Sequence, residues 1–445
     1  MAGEWRTLTI DQIKAQEDRA IAIGPFGSRM KADAYVANGV PVIRGNNISD
    51  TRALIGDFVF VSSETADGLR SSNAFGGDLV FPHRGAIGQV GIIPAEGAGR
   101  YMLSTSLMKL TCNQELVDPL FIFYFFRSTV GRHALLQNAS TVGTPGIGQP
   151  LASLRSISVP VPPLPEQHLI AHILGTLDDK IDLNRRMNET LEAMVQAVFR
   201  SWFVDFDPVH AKSEGRDPGL SEPLADLFPA RLIDSELGEI PEGWEVAPLP
   251  EVIDVNPTRA LRKGVEAPYL DMANMPTRGH SPDDVVARAP GSGMRFINGD
   301  TLVARITPCL ENGKTAFVDF LRDGQVGWGS TEYVVLRPRP PLPEAFAYCL
   351  ARSEEFRNFA IQSMTGSSGR QRVPAESLGD FRVAVPPSSL ADSFGRAVKP
   401  RFARARAAVR ESRTLAALRD TLLPKLLRGE LSVSSCKHGK GWANQ

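Results

Sequence analysis

The stretch Leu164-Pro-Glu-Gln-His-Leu-Ile170-Ala-His-Ile-Leu174-Gly-Thr-Leu177-Asp-Asp-Lys-Ile181 opens the segment that decides the fold. Its seam of Ile170, Leu174, Leu177 and Ile181 continues as Leu191, Val195, Val198 and Trp202, with Asn184 and Asn188 filling the gap. This 4-3-4-3 spacing predicts one long helix that packs along a second helix as a coiled coil. Pro165 suits the first helical turn and Glu166 its positive end. A partner is present near the other terminus, where Val398, Phe402, Ala405, Val409, Ser412, Leu415, Leu418, Leu422 and Leu426 form a looser seam. Pro400 and Pro424 are expected to kink or fray that helix.

Charge supports the pairing. Residues 161–240 hold 7 basic against 15 acidic residues, net −8, whereas 386–445 hold 12 against 4, net +8. The intervening stretches are nearly balanced, and the chain as a whole carries −1. Opposite rods with apolar seams favour each other over like partners.

Outward from the helices, the chain is a doublet with an offset of about 225 residues. Leu154-Arg-Ser-Ile-Ser-Val-Pro-Val-Pro-Pro163 matches Leu378-Gly-Asp-Phe-Arg-Val-Ala-Val-Pro-Pro387. Gly77-Asp78-Leu79-Val80 matches Gly299-Asp300-Thr301-Leu302, and Ser104-Thr105 matches Ser330-Thr331. Each half reads as a mixed module of short β-branched strands broken by Gly, Pro and Asn. One helix per module is expected, near 119–136 and 343–359, and a long helix follows each module. The expected boundaries are a first module at 1–160, its helix at 161–206 and a linker at 207–240. A second module at 241–386, its helix at 387–432 and a flexible tail at 433–445 complete the chain.

Several words of this sequence resemble type I restriction-modification specificity subunits. They are Pro163-Leu-Pro-Glu-Gln167, Ile170-Ala-His-Ile-Leu174 and Leu177-Asp-Asp-Lys-Ile181. The ending Leu418-Arg-Asp-Thr-Leu-Leu-Pro-Lys-Leu-Leu-Arg-Gly-Glu-Leu431 and the early turn Gly24-Pro-Phe-Gly-Ser28 look like the same family. The second helix departs from the pattern, with Ser388-Ser389 where the first has Leu164-Pro165. The resemblance implies an α+β fold: two similar mixed target recognition domains separated by a pair of long antiparallel coiled-coil helices, related by a pseudo-twofold. It also implies a non-catalytic subunit that reads a two-part, asymmetric double-stranded DNA target. Two modification subunits would dock on it and methylate adenine with S-adenosylmethionine, and a restriction subunit that translocates and cuts DNA would use ATP and Mg²⁺. No cofactor or metal is expected in this chain, and its location is expected to be cytoplasmic. A first helix of about 39 residues, roughly 58 Å long, would cap half-site centres at roughly 17 base pairs apart.

The residues themselves give independent reasons to expect no catalytic site. Gly313-Lys314-Thr315 ends like a phosphate loop, but position 308 is Pro where the first glycine belongs. Asn256-Pro257-Thr258 and Asp207-Pro208-Val209 lack the second proline and the aromatic residue of an amino-methyltransferase corner. Asp178-Asp179-Lys180 imitates a nuclease motif but lies within the helical seam, and His83 has no suitably spaced metal-binding partner. Cys112, Cys309, Cys349 and Cys436 are scattered, as idle thiols in a reducing compartment would be. No apolar run approaches 18 residues, and the N-terminus shows no export signal. A stand-alone methyltransferase or nuclease, or a scaffold that does not bind DNA, are the alternatives.

Base readout needs Arg, Asn, Gln or Ser on reachable loops. The richest loop is Gly366-Ser-Ser-Gly-Arg-Gln-Arg372, nominating Ser367, Ser368, Arg370, Gln371 and Arg372. Its counterpart, Ser140-Thr-Val-Gly-Thr-Pro-Gly-Ile-Gly-Gln149, nominates Thr144 and Gln149. Arg44, Asn46, Asn47, Arg84, Asn274 and Arg305 complete the set of candidate DNA contacts.

Overall fold

The computed structural model describes residues 5–25, 30, 32–140, 143–262 and 264–431. The chain divides into two compact units, one from the residues before Asn184 together with those from Glu411 on, the other Asn184–Arg410. Phe26, Gly27 and Ser28 of the early turn, Cys436 and the tail at 433–445 lie outside the described residues.

In the first unit, strand Arg6–Thr9 pairs antiparallel with Ser158–Val161. A four-stranded sheet runs in the order Ile21–Ile23, Leu107–Leu110, Leu79–Pro82, Gly91–Ile92. A second sheet runs Tyr35–Val36, Val59–Val61, Val40–Ile43, Arg100–Leu103, Asn73–Phe75, with Val42 parallel to Met102. The second unit repeats this plan. Glu245–Pro248 pairs with Arg382–Val385, and a four-stranded sheet runs Ile253–Val255, Tyr333–Pro338, Thr301–Ala304, Thr315–Phe317. Its other sheet runs Val286–Arg288, Ala267–Leu270, Gly327–Gly329, Arg295–Phe296, again with one parallel pair, Tyr269 beside Trp328. Both sheets therefore keep the same order and sense in the two units, and the first adds one edge strand, Tyr35–Val36.

The matched Gly-Asp words form the same turn twice. Gly77 and Gly299 sit at φ +88° and +87°, a conformation that glycine adopts without a Cβ clash. Asp78 Oδ2 accepts from Phe75 N and from Lys109 Nζ, while Asp300 Oδ2 accepts from Ile297 N and Oδ1 from Arg259. Both carboxylates are buried, and each is matched by a cation because an unpaired buried charge would be costly. Burial nevertheless raises the Asp300 pKa, against its hydrogen bond from Ile297 and the two neighbouring arginines.

The single helix expected in each module is two. Pro119–Arg127 gives way to Thr129–Leu136 at Ser128, and Glu344–Arg352 to Glu354–Gln362 at Ser353. Each serine takes extended dihedrals and accepts from the backbone N–H three residues on, so one residue ends a helix and caps the next. Phe121 to Phe126 are all buried, as a helix apolar on every side must be.

The first long helix is Leu164–Phe203 and the second Ser388–Leu427, 40 residues each. The second is continuous through Pro400 and Pro424, both exposed; the seam on its opposite face offsets the backbone bonds they lose. Within the first unit Asp178 meets Arg419 and Lys180 meets Glu411. Within the second unit the Asn184 Nδ2 donates to the Ala408 carbonyl at 3.4 Å, and Phe199 packs on Phe394. In each unit the paired residue numbers rise on one helix as they fall on the other, so the pairing is antiparallel.

Ile170, Leu174, Val195 and Trp202 are buried, while Leu177, Ile181, Leu191 and Val198 are half-buried. On the second helix Val409, Leu415 and Leu422 are half-buried and Leu418 is exposed. Val398, Phe402, Ala405 and Leu426 are buried as expected, but Ala408, Arg419 and Leu423 are buried in place of their neighbours Val409, Leu418 and Leu422. The slip follows from a buried arginine standing in the seam, which a search for apolar residues passes over.

Residues 207–240 are part of a core rather than a linker. Helix Asp207–Ser213 and the hairpin Leu232–Ser235 with Gly238–Pro241 bury Val209 and Ile240 in a cluster with Trp202, Phe203, Phe228 and Trp244. Its acidic, proline-containing composition hid that handful of apolar anchors. No helix among the described residues is long and apolar enough to cross a membrane.

Candidate nucleic-acid interface

In each unit the loop after a central strand is stitched to a hairpin by the same three backbone bonds. In the first, His83 N donates to Ser106 O (2.9 Å), Ile147 N to His83 O (2.9 Å) and Gly85 N to Pro145 O (2.8 Å). In the second, Arg305 N donates to Glu332 O (3.0 Å), Val373 N to Arg305 O (2.9 Å) and Thr307 N to Gln371 O (3.0 Å). The hairpins close by Ser140 pairing with Gly146 and by Thr365 pairing with Arg372. These bonds align the two surfaces residue by residue. His83 corresponds to Arg305, Arg84 to Ile306, Thr144 to Arg370, Pro145 to Gln371 and Gly146 to Arg372.

A further loop joins each group. Ser104 N donates to Ile43 O at 2.9 Å, which brings 44–47 to the loop at 104–106. In the second unit Lys314 Nζ donates to the carbonyls of Met272 and Ala273, and Ala304 N to Lys314 O at 3.0 Å, which fixes 271–274 beside the strand end. Lys314 thus has carbonyl partners, which explains the lysine without a phosphate site.

The nominated residues separate by environment. Arg84, Asn46, Thr144, Gln149, Ser367, Ser368 and Arg370 are exposed, and Arg84 and Arg370 have no side-chain hydrogen bond or ion pair among the described residues. Gln149 adopts left-handed dihedrals before helix Pro150–Ser156. Gln371 is half-buried, and Arg305 is half-buried with its Nε enclosed and unpartnered. Arg44 is also half-buried and donates to the Asp57 carbonyl at 2.8 Å.

Three of the nominated residues are engaged within the protein. Asn47 is fully buried: its Nδ2 donates to Ile55 O and its Oδ1 accepts from Arg44 N, so it holds its own loop. Asn274 donates twice to Asp271 Oδ1 and shapes a turn. The Arg372 Nε donates to both Glu332 carboxylate oxygens at 2.9 and 3.0 Å, which neutralises it. Asn and Arg serve loop geometry as readily as base edges, and residue type alone does not separate the two uses.

Sequence reasoning passed over the loops at 104–106 and 330–332 as site elements, although Ser104-Thr105 and Ser330-Thr331 already marked them as repeated. His83 Nε2 lies 3.1 Å from the Thr105 carbonyl. Burial lowers the His83 pKa; the bond to Thr105 opposes this, and the charge of Arg84 adds to it. The Asp178-Asp179-Lys180 word is fully committed to structure: Asp178 binds Arg419 and Tyr124, Asp179 pairs with Arg52 and Lys180 with Glu411. Among the described residues no three His, Cys, Asp or Glu side chains are grouped to hold a metal ion.

Residues 27–193 match the family described as "Type I restriction modification DNA specificity domain". The HindI specificity subunit of Haemophilus influenzae is 23% identical over 382 residues, covering 74% of this chain and 81% of that protein. The MjaIX specificity subunit of Methanocaldococcus jannaschii is 25% identical over 63% of this chain and 62% of its own length. The EcoEI specificity subunit of Escherichia coli is 31% identical over 162 residues, 35% of this chain and 27% of that protein. In fold, the chain is similar to the crystal structure of a type I restriction-modification S subunit from M. genitalium, with a TM-score of 0.55 at 14% identity, covering 95% and 96% of the two chains. The chain is thus similar over residues 27–193 to the type I restriction modification DNA specificity domain, and over nearly its whole length its fold is similar to that of a type I restriction-modification S subunit.

Proposed function

We propose that this chain is the DNA-reading subunit of a type I complex, in which each unit recognises one part of a two-part target. The observation that carries the reading is one backbone frame built twice with different side chains on it. His83, Arg84 and Thr144 stand in the first unit where Arg305, Ile306 and Arg370 stand in the second. A shared frame with unlike donors recognises unlike sequences, so the target is asymmetric. The exposed arginines supply charge-assisted donors, and the β-hairpins are narrow enough for a major groove, which admits a two-stranded ribbon.

The long helices serve as the docking surface for modification subunits, and the restriction subunit joins that assembly. Adenine methylation with S-adenosylmethionine belongs to those modification subunits, and ATP and Mg²⁺ to the restriction subunit. The chain itself performs no chemistry.

Duplexes carrying candidate targets, titrated with the chain and its modification subunits across a salt series, test this. Tight binding that depends on two separated sequence blocks is expected, with log K falling linearly in log salt. Methyl transfer or DNA cleavage by the purified chain alone, given S-adenosylmethionine or Mg²⁺, would overturn it. So would binding indifferent to sequence.

A further inference from the structure

The second unit presents arginine at two aligned positions where the first unit does not. Arg305 replaces His83, and Arg370 replaces Thr144. A third arginine nearby, Arg372, is spent on Glu332. The three differ in what they can offer a ligand.

Arg305 starts from a backbone fixed on both sides, its N–H on Glu332 and its carbonyl under Val373. Its Nε is enclosed while the side chain is only half covered, so the stem is held and the fork has no acceptor among the described residues. Arg370 sits on the hairpin that Thr365 and Arg372 close with two bonds of 2.9 Å. Gly366 and Gly369, at φ +116° and +77°, make its tight tip. The Arg370 N–H donates to the Ser367 carbonyl at 3.0 Å, so the tip is internally braced. A phosphate contact needs only a charge within reach. A guanidinium carried on a braced backbone can meet the stricter demand of two parallel donors, and in the major groove the matching acceptor pair is guanine O6 and N7.

We propose that Arg305 and Arg370 read guanine in the half-site of the second unit, and that Arg372 positions the hairpin without touching a base. This rests on the DNA-reading function proposed above and names the bases it selects.

The test is selection from a randomised duplex library by the full chain assembled with its modification subunits. Wild type, Arg305→Lys, Arg370→Ala and Arg372→Gln are compared. The wild-type motif should contain guanine in the half that responds to Arg305 and Arg370. Arg370→Ala should lower discrimination at one guanine column by about 5- to 150-fold and leave the other half intact. Arg305→Lys keeps the charge and loses the fork, so it should relax a different guanine column with an unchanged salt slope. Arg372→Gln should lower affinity with the motif unaltered.

Unchanged columns in both reading variants would overturn the assignment. So would uniform weakening across all sequences with a salt slope reduced by about one, the signature of phosphate contacts. A responding half without guanine would do the same. A wild-type assembly that selects no motif at all would remove the DNA-reading function itself, and this assignment with it.

Discussion

Replacing Asp178 with Ala strands a buried cation. The Asp178 carboxylate is 1% exposed and accepts from Arg419 Nη1 at 2.7 Å on one oxygen and from Tyr124 Oη at 2.8 Å on the other. Burial, reinforced by the carboxylate's charge, pushes the Tyr124 pKa well above the ordinary phenol value, so the hydroxyl stays a donor. Arg419 is itself buried, and without Asp178 it keeps, among the described residues, only the exposed Asp420 and the Asp50 carbonyl. Breaking a buried pair by removing one partner costs about 3–5 kcal/mol. Set against roughly 5–15 kcal/mol for a whole domain, that is a large share. A chain of two units need not melt in one step, so hydrogen exchange read by mass spectrometry is the better assay. Protection of helix Pro119–Arg127 should fall between about a hundredfold and several thousandfold, and protection within Asn184–Arg410 should hold. Adding Arg419→Met should recover most of the loss, because the penalty lies in the stranded charge. Wild-type protection in the first unit of Asp178→Ala would refute this reasoning. So would a double variant no better than the single one.

Phe199→Ala removes a ring packed between Phe203, Phe346 and Phe394 and should cost the second unit about 3–5 kcal/mol, seen as a lowered melting transition. Gly77→Ala and Gly299→Ala should separate, because both incur about 1–2 kcal/mol of left-handed strain. Only at 299 would the new methyl also strike Glu344 and Arg337, whereas at 77 the nearest atom is the Gln114 amide nitrogen at 4.0 Å; equal urea midpoint shifts would contradict the turn geometry. Burial holds the folded His83 pKa below the ordinary imidazole value of 6.5, so the folded chain binds fewer protons than the unfolded one as pH drops below that value. Its contribution to first-unit stability is therefore whole above pH 6.5 and declines as pH falls through the lowered pKa. His83→Asn should flatten that part of a stability–pH curve.

The long helices were legible because apolar spacing survives along 40 residues and prolines mark where each begins. The doublet was legible at Gly77-Asp78 and Gly299-Asp300, where a glycine turn and a buried carboxylate need those residue types. The split at Ser128 and Ser353 was not, since apolar periodicity runs straight through a serine whose capping role appears only in its dihedrals. Trp5 and Trp244, just before the matching strands Arg6–Thr9 and Glu245–Pro248, went unnoticed as a repeat. Trp5 lies against Gly429 at the end of the second long helix, and Trp244 packs on Phe203 at the end of the first. A single aromatic residue in a polar context gives no periodic signal. At the loops, residue type nominated Asn47 and Asn274 as readily as Asn46 and Arg84. Only the hydrogen bonds that occupy the first two tell them apart.

Sequencing that detects modified adenines in cells carrying the complete system measures the reading of DNA most directly. With the wild-type chain, the modified bases should fall in a motif of two unlike blocks. With Arg84→Ala, one block should change and the other persist. A single uninterrupted or palindromic motif, or both blocks changing together, would contradict two independent readers set on one repeated frame.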